Sequence, residues 1–167
     1  MREHVLVVIK PDCLQRGLTG HVIQMFSHLG LKLTAAKALR VTEELAKKHY
    51  QHLQDEPFFS DLIALITGKM HGTDKVLAFI YSGEDAIAKC RELAGATNPE
   101  EAHPRSIRGC FGRITTKGIF ENVVHVSSDK EEAAREIKLW FSPEQIEEEI
   151  LPTKEGTLEK KTKTIWA

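Results

Sequence analysis

His125 is the residue of this sequence whose setting most directly indicates chemistry. The segment NVVHVSSD (122–129) has the apolar pattern of a strand up to His125, and hydroxyl side chains and an aspartate follow at once. A neutral imidazole is nucleophilic near pH 7 and can accept a phosphoryl group, provided that a partner holds its tautomer and orientation. Ser127 on the same face of the strand and Glu136 in the helix predicted to follow are candidate partners. The simpler interpretation of His125 alone is a strand-end histidine with a hydrogen-bond partner.

Three cations in other parts of the chain could serve such a nucleophile. Lys10 ends the first predicted strand, Arg91 lies in a predicted helix, and Arg108 lies in a long loop. Together they could neutralise the non-bridging oxygens of a phosphoryl group during transfer, although each one singly is more simply a solvated surface residue. The sequence lacks the glycine-rich motifs of P-loop and dinucleotide-binding proteins, so any phosphate contact must come from side chains.

The composition is that of an ordinary globular protein and gives no support to binding of nucleic acid or membranes. The 167 residues include 41% hydrophobic and 28% charged side chains, with a formal net charge of -1 at pH 7. The three cysteines contain no C-x-x-C pair, which argues against a disulfide framework or zinc ribbon and favours a reducing compartment. The apolar run near the amino terminus is too short for a secretory signal, so we expect a cytoplasmic protein.

The elements that must position these residues alternate between strands and helices. Apolar runs predict strands at 5–9, 31–41, 76–81 and 122–128, and helical spacing predicts helices at 21–29, 42–53, 57–67, 83–94 and 129–141. This order predicts an α/β (α+β) fold, a ferredoxin-like sandwich with a four-stranded antiparallel sheet covered by helices. Residues 96–121 lack a periodic pattern and are predicted to form a functional loop. A domain of residues 1–144 precedes a charged tail, 145–167, which could dock through Trp166.

Six short segments occur in the order found in nucleoside diphosphate kinases, and over residues 4–144 the sequence strongly resembles that family. The segments are VIKPD, KHY, PFFSDL, RELAGATNP, SIRGCFG and NVVHVSSD. The resemblance implies a ping-pong phosphotransferase, in which a nucleoside triphosphate such as ATP phosphorylates the histidine, and the histidine then phosphorylates a nucleoside diphosphate. It also implies a Mg²⁺ cofactor that bridges the nucleotide phosphates without a protein ligand, and a homo-oligomer, a hexamer in preference to a tetramer.

The family's functional positions coincide with the candidates above and add several more. The resemblance implies that His125 is phosphorylated, with Lys10 close to the phosphates and with Ser127 and Glu136 orienting the imidazole. The residues that it places on the nucleotide are Lys10, Tyr50, Phe58, Leu62, Arg91, Thr97, Arg108 and Asn122. Phe58 would stack on the base, although an apolar residue near a helix start more often belongs to the core.

Three substitutions and two longer segments separate this sequence from the usual family pattern. Val126 stands in the place of a small residue beside the nucleophile, Ser128 in the place of an aspartate, and Cys110 in the place of an acidic residue. The segments 68–75 and 113–121 are longer than their usual counterparts, and the second could reshape the base pocket. We expect an active enzyme. The alternatives are a nucleotide-binding regulatory protein with weakened catalysis, and a ferredoxin-like RNA-binding domain, which the near-zero net charge disfavours.

Overall fold

Four strands form the central sheet of the computed structural model, which describes residues 2–156. The strands of the chain are β1 (Arg2–Ile9), β2 (Lys32–Arg40), β3 (Lys75–Glu84), β4 (Arg113–Ile114), β5 (Phe120–Glu121) and β6 (Val124–Val126). The central sheet has the order β2-β3-β1-β6 with antiparallel neighbours throughout, and β4 and β5 form a separate antiparallel hairpin. This topology confirms the predicted ferredoxin-like sandwich.

The five predicted helices occur in the predicted order, and two further short helices, the first and the sixth, lie where loops were predicted. The helices are α1 (Pro11–Gln15), α2 (Thr19–Ser27), α3 (Glu43–His49), α4 (Phe59–Ile66), α5 (Ala86–Ala94), α6 (Ile107–Phe111) and α7 (Lys130–Trp140). The prediction that a helix begins at Pro57 is wrong, because Phe58 is the N-cap residue of α4. The segment after β1, predicted to be a loop, contains α1, which begins with Pro11 at a position where its missing N–H costs nothing.

Residues 96–121 are not the irregular loop that was predicted. They contain α6, whose N-cap Ser106 accepts a hydrogen bond from Gly109 N at 3.2 Å, and the hairpin of β4 and β5. A helix of five residues and strands of two residues are shorter than the windows in which hydrophobic periodicity is visible. These elements therefore left no pattern in the sequence, and their caps and turns define them instead.

Two apolar clusters lie on the two faces of the sheet, and β1 contributes to both. Val5, Val7 and Ile9 pack with side chains of α2 and α5, whereas Leu6 and Val8 pack with side chains of α4 and α7. All five residues are 0% exposed. A strand that is covered on both faces has no polar alternation, which explains the continuous run VLVVI. Lys10 follows the end of this strand, and His125 lies in its neighbour β6.

The chain after α7 returns along the outer edge of the sheet. Lys37 Nζ donates a hydrogen bond to Gln145 Oε1 at 2.8 Å, and Glu148 Oε1 accepts one from Arg2 Nη2 at 2.9 Å. The first part of the charged tail is therefore bound to β2 and to the start of β1. Trp166, through which docking was predicted, lies outside the described residues. Among the described residues, no helix is long and apolar enough to cross a membrane.

Candidate active site

A cavity of about 570 Å³ opens beside the junction of β1 and β6, a size typical of small-molecule sites. Val8 pairs with His125 in the sheet, and Lys10 N donates a hydrogen bond to Val123 O at 2.9 Å, so Lys10 leaves β1 next to the turn before His125. The predicted site residues on the cavity wall are Lys10, Tyr50, Phe58, Leu62, Arg91, Thr97, Arg108, Asn122, His125 and Glu136. Ser127, the remaining one, is buried behind the wall.

The imidazole of His125 is held by a carboxylate that is itself held by a hydroxyl. His125 Nε2 lies 2.9 Å from Glu136 Oε1, and Ser127 Oγ donates a hydrogen bond to Glu136 Oε2 at 2.6 Å. Glu136 is 1% exposed, whereas the His125 side chain keeps 18% of its surface exposed. A carboxylate with both oxygens engaged has a fixed orientation and accepts the proton of Nε2. The lone pair of Nδ1 is then the one available for chemistry.

The start of α7 brings Glu136 back beside His125. Asp129 is the N-cap of α7 and accepts a hydrogen bond from Glu132 N at 2.9 Å. Such a cap satisfies one of the free amides of the first turn, so the helix begins soon after β6 ends. The buried face of α7 includes Ala133 and Glu136, and the helix packs on β1, where Ser127 also bonds to the backbone of Leu6.

His49 packs against the candidate nucleophile, and sequence analysis gave it no role. The His49 ring is 0% exposed and lies edge-on to the His125 ring, with 4.3 Å between the ring centroids. Trp140 Nε1 donates a hydrogen bond to His49 Nδ1 at 3.1 Å. Burial, together with the neighbouring charge of His125, holds the pKa of His49 well below its usual range. His49 therefore stays neutral although its Nδ1 lies 3.6 Å from Glu136 Oε1. The hydrogen bond to this carboxylate oxygen is made by His125 instead.

Two of the three predicted cations, Lys10 and Arg108, make hydrogen bonds to other parts of the protein. Lys10 is 3% exposed and donates a hydrogen bond from Nζ to Asn122 Oδ1, and burial lowers the pKa of Lys10 to about 8. Arg108 lies in α6 and donates hydrogen bonds to Gly95 O at 2.7 Å and to Val124 O at 3.0 Å. The prediction that Arg108 lies in a loop is therefore wrong, whereas its intermediate burial agrees with the expected partial exposure to solvent. Through these two bonds Arg108 joins two segments of the cavity wall. Arg91 is exposed at the mouth of the cavity.

A strained turn before β6 points Asn122 into the cavity. Val123 has a φ of +58°, a conformation that costs a β-branched residue about 1–2 kcal/mol. Asp12 Oδ2 accepts a hydrogen bond from Val123 N at 2.9 Å and holds this turn. Asn122 Nδ2 in turn donates to Thr97 O at 2.8 Å, so two predicted nucleotide-binding residues are fixed together. Asp12 stands in the KPD segment, but nothing in the sequence shows which distant amide it holds.

The family profile described as nucleoside diphosphate kinase matches residues 3–146 of this chain. The chain belongs to the nucleoside diphosphate kinase family. The nucleoside diphosphate kinase of Bacillus licheniformis is 42% identical over 147 residues, which cover 88% of this chain and 93% of that protein. That of Symbiobacterium thermophilum is 46% identical over 139 residues, covering 83% of this chain and 87% of that protein.

Solved structures of nucleoside diphosphate kinases share the fold. The enzyme of Borrelia burgdorferi, solved as a transition-state mimic with vanadate and ADP, is 36% identical with a TM-score of 0.77, covering 92% of this chain and 93% of that one. The enzyme of Halobacterium salinarum, solved with CDP, is 35% identical with a TM-score of 0.79, covering 89% of this chain and 93% of that one. These two relatives bind nucleotides on the same fold.

Two departures from the nucleoside diphosphate kinase pattern have a local explanation in the structure. Val126 is 5% exposed and pairs with Val7 in β1, and its side chain packs in the apolar cluster on one face of the sheet. Ser128 lines the cavity and donates a hydrogen bond to Asp129 Oδ2 at 2.9 Å. The N-cap of α7 is still an aspartate, because Asp129 fills that position. Cys110 is exposed, with its Sγ 3.0 Å from Pro104 O, and nothing in the structure explains the loss of an acidic residue there.

The two segments that were expected to be longer than usual, 68–75 and 113–121, meet each other at the edge of the cavity. His71 in segment 68–75 lies with Nε2 3.0 Å from Glu121 Oε1, and Arg113 pairs with the other oxygen of the same carboxylate. His71 is 4% and Glu121 6% exposed, so this contact is buried. The expectation that segment 113–121 reaches the nucleotide pocket agrees with the cavity wall, which includes residues 117–120.

One group of side chains at the site has the composition of a metal site. His49, His125 and Glu136 each offer a ligand atom within 4.8 Å of the others. His125 Nε2 and both oxygens of Glu136 are engaged with one another and with Ser127, and His49 Nδ1 accepts a bond from Trp140. We interpret the group as a hydrogen-bond network that orients His125.

Proposed function

We propose that this chain transfers the γ-phosphoryl group of a nucleoside triphosphate to a nucleoside diphosphate through phosphorylated His125. The observation that supports this most strongly is the pairing of His125 Nε2 with the buried Glu136 carboxylate, at the wall of a cavity that Lys10, Arg91 and Arg108 also line. A carboxylate that fixes one imidazole nitrogen presents the other as a nucleophile. Nδ1 is therefore the atom that we assign to the covalent intermediate.

The transfer then proceeds in two balanced steps. The Nδ1 lone pair attacks the γ-phosphorus, the bond from that phosphorus to the bridging oxygen breaks, and its electron pair leaves with the nucleoside diphosphate. Positive charge that develops on the imidazole is offset by the Glu136 carboxylate, which Ser127 holds in place. In the second step a terminal phosphate oxygen of another nucleoside diphosphate attacks the same phosphorus, and the phosphorus–nitrogen bond breaks.

The cations stabilise the negative oxygens of the phosphates in both steps. Lys10 and Arg108 are preorganised, because each is bound to backbone or side-chain groups before any nucleotide arrives. A preorganised charge stabilises the transition state without reorientation, which is why such groups contribute strongly to catalysis. Arg91 at the cavity mouth adds a third positive charge.

The donor set of the cavity fits a nucleotide that arrives with Mg²⁺ on its phosphates. The wall combines the three cations and Lys117 with the carboxylates of Asp61, Glu132 and Glu136. Glu132 is already paired with Arg135, and Glu136 with His125. This set favours phosphate anions over a bare divalent ion, so we assign Mg²⁺ to the phosphates and no metal ligand to the protein. Bound there, Mg²⁺ would supply positive charge that offsets the negative charge of the leaving diphosphate.

The nucleoside lies towards the side of the cavity where Phe58 and Leu62 are. Phe58 is 48% exposed at the N-cap of α4, outside the core, which supports the stacking role over a packing role. Tyr50, Thr97 and Asn122 complete the set for ribose and phosphates. Stacking on a phenyl ring does not distinguish bases, so we expect ribo- and deoxyribonucleotides of every base to be accepted.

Assembly and location are proposed on the family resemblance. We propose a homo-oligomer, a hexamer in preference to a tetramer, acting in the cytoplasm without nucleic-acid or membrane partners. The three free cysteines are in agreement with a reducing compartment. The alternative of a regulatory protein with weakened catalysis is not favoured, since nucleotide binding alone does not need the buried Ser127–Glu136–His125 arrangement.

The test is transfer of label from γ-labelled ATP to the protein. We expect an acid-labile, base-stable adduct, which disappears in His125→Ala and is released on addition of a nucleoside diphosphate. His28→Ala is the matched control, because His28 is exposed at the end of α2 and remote from the cavity wall. Label that persists in His125→Ala would overturn the assignment of the nucleophile.

A further inference from the structure

The strained turn that carries Asn122 needs support at both of its ends. Val123 has a φ of +58°, which a β-branched residue keeps only where the surrounding structure enforces it. Asp12 supports one end, because its Oδ2 accepts a hydrogen bond from Val123 N at 2.9 Å. Within the turn, Asn122 Oδ1 accepts a bond from Lys10 Nζ, and Asn122 Nδ2 donates to Thr97 O at 2.8 Å. The placement of Asn122 therefore determines where the ammonium group of Lys10 lies.

Glu121 supports the other end of the turn. The residue is 6% exposed, its Oε1 lies 3.0 Å from His71 Nε2, and its Oε2 accepts a bond from Arg113 Nε. Although burial opposes a charge, the bonds from Arg113 and His71 hold the pKa of Glu121 below its usual range. A buried carboxylate that lost one of these partners would be incompletely compensated, so Glu121 stays where both partners hold it, directly before Asn122.

His71 is held by a tightly closed loop. Its N donates a hydrogen bond to Gly68 O at 2.9 Å, and the imidazole is 4% exposed. Gly68 has a φ of +76°, and a Cβ at this position would lie 1.7 Å from Thr73 O, so the loop closes in this way only with glycine there. The loop therefore presents His71 to Glu121 as a fixed partner.

The charge of Glu121 also acts on Lys10. Burial lowers the pKa of Lys10 to about 8, and the charged or titratable groups that act on it are Asp12 and Cys13 in α1, Arg108 in α6 and Glu121 in β5. Arg108 lowers the pKa further, whereas the other three groups raise it. Glu121 is thus coupled to Lys10 in two ways, through the Asn122 turn and through its charge.

We propose that Glu121 is a positioning residue of the site: held by His71 and Arg113, it fixes the turn from which Asn122 orients Lys10 towards the phosphates. The inference rests on the proposed function, because it takes the ligand of Lys10 to be the phosphates of a nucleotide. Glu121, His71 and Arg113 lie behind the cavity wall and not on it, so they act through Asn122 and Lys10. A displacement of about 1 Å at a reacting group can cost about a hundredfold in rate, so such support has a measurable effect.

The test is the pH profile of kcat/KM for ATP in Glu121→Gln, measured as phosphorylation of His125 over the interval in which Lys10 titrates. Glutamine has the same shape, but it has no charge, and its one oxygen cannot accept from both His71 and Arg113. We expect kcat/KM at pH 7 to fall about tenfold, and its decline with rising pH to begin at a lower pH, because Lys10 loses a supporting charge.

Asp74→Asn is the matched control for this variant. It makes the same change from acid to amide in segment 68–75, at an exposed residue whose carboxylate lies 3.0 Å from Arg40 Nε. The control is expected to keep both the kcat/KM and the pH profile of the wild type, since this ion pair does not adjoin the Asn122 turn.

Two substitutions of His71 separate position from charge and remain informative if Glu121→Gln does not fold. His71→Phe keeps a ring but has no donor for Glu121, so kcat/KM is expected to fall by a similar factor while the pH of its decline stays near that of the wild type. His71→Gln retains an amide donor and is expected to recover most of the wild-type kcat/KM. Each assay is run below the melting temperature of the variant.

The results distinguish failure of this inference from failure of the proposed function. A Glu121→Gln variant with the pH profile of Asp74→Asn, or equal kcat/KM values for His71→Phe and His71→Gln, would assign the contact to stability alone and overturn the positioning role. A wild-type protein whose His125 takes no label from ATP would instead refute the proposed function itself.

Discussion

The buried Lys10 predicts a specific pH dependence of nucleotide capture. Its pKa of about 8, lowered by burial and supported by the neighbouring Asp12 carboxylate, means that the free protein loses this cation just above neutral pH. At pH 7 about nine tenths of the molecules have charged Lys10, and at pH 9 about one tenth, as follows from a single titration at this pKa. We therefore expect kcat/KM for ATP to fall about tenfold between pH 7 and pH 9.

The maximal rate responds differently, because bound phosphate favours the charged form of Lys10 and raises its pKa in the complex. We expect kcat to stay nearly constant from pH 7 to pH 9 while KM rises. The pKa of Arg108, about 10, keeps that cation charged over the same interval. The assay is single-turnover phosphorylation of His125 at subsaturating and saturating ATP. A constant kcat/KM, or a parallel fall of kcat and kcat/KM, would refute the reasoning.

Asp12→Asn is the informative variant, because an amide retains an oxygen that can accept from Val123 N but removes the charge. Without that charge the pKa of Lys10 falls further, so the decline of kcat/KM is expected to begin at lower pH. The stability of the wild type provides a second readout. Since the folded pKa of Lys10 lies below its unfolded value of 10.5, the unfolded chain binds more protons between about pH 8 and 10.5. The contribution of Lys10 to stability therefore rises with pH in that window, and Lys10→Met is expected to remove this rise.

Three further perturbations test other parts of the site. Arg108→Ala is expected to slow His125 phosphorylation roughly a hundredfold and, since two backbone carbonyls lose their donor, to lower the free energy of unfolding by about 1–3 kcal/mol in urea titrations. Trp140→Phe removes the donor that keeps His49 Nδ1 an acceptor, so His49 can take up a proton more easily and compete with His125 for Glu136. We expect the phosphorylation rate of this variant to fall at a higher pH than that of the wild type on acidification, and an unaltered pH profile would contradict this. Thr42→Ala removes the N-cap of α3 and is expected to cost about 1 kcal/mol in unfolding experiments with an unchanged kcat.

The sequence was sufficient for the four strands of the central sheet, the five longer helices and many residues of the cavity wall. Continuous apolar runs reveal strands that are covered on both faces, as in β1, and a histidine at such a strand end is visible without a structure. The resemblance in motif order then supplied residues such as Tyr50 and Asn122, which composition or periodicity alone would not single out. Both line the cavity with His125.

What the sequence could not predict are the contacts between distant segments. The bond of Asp12 to Val123 N, the bond of Trp140 to His49 and the pair of His71 and Glu121 each join residues far apart in the chain. Local sequence preferences do not predict such pairs, because the pairs depend on which side chains the completed sheet brings together. Short elements were missed for a related reason, since α6 and the hairpin 113–121 are defined by caps and turns.

The surroundings of Glu136 support the proposal that His125, and not the neighbouring His49, is the nucleophile of this pocket. The carboxylate is 1% exposed and has two imidazoles within reach, His125 at 2.9 Å and His49 at 3.6 Å. If both rings could become charged, the carboxylate would be shared and the nucleophile would lose its orientation. The indole of Trp140 donates to His49 Nδ1, so that nitrogen remains an acceptor, and burial opposes a charge on the ring. The negative charge of Glu136 is thereby available to the His125 imidazole, which in the proposed reaction becomes positive when phosphorus binds it.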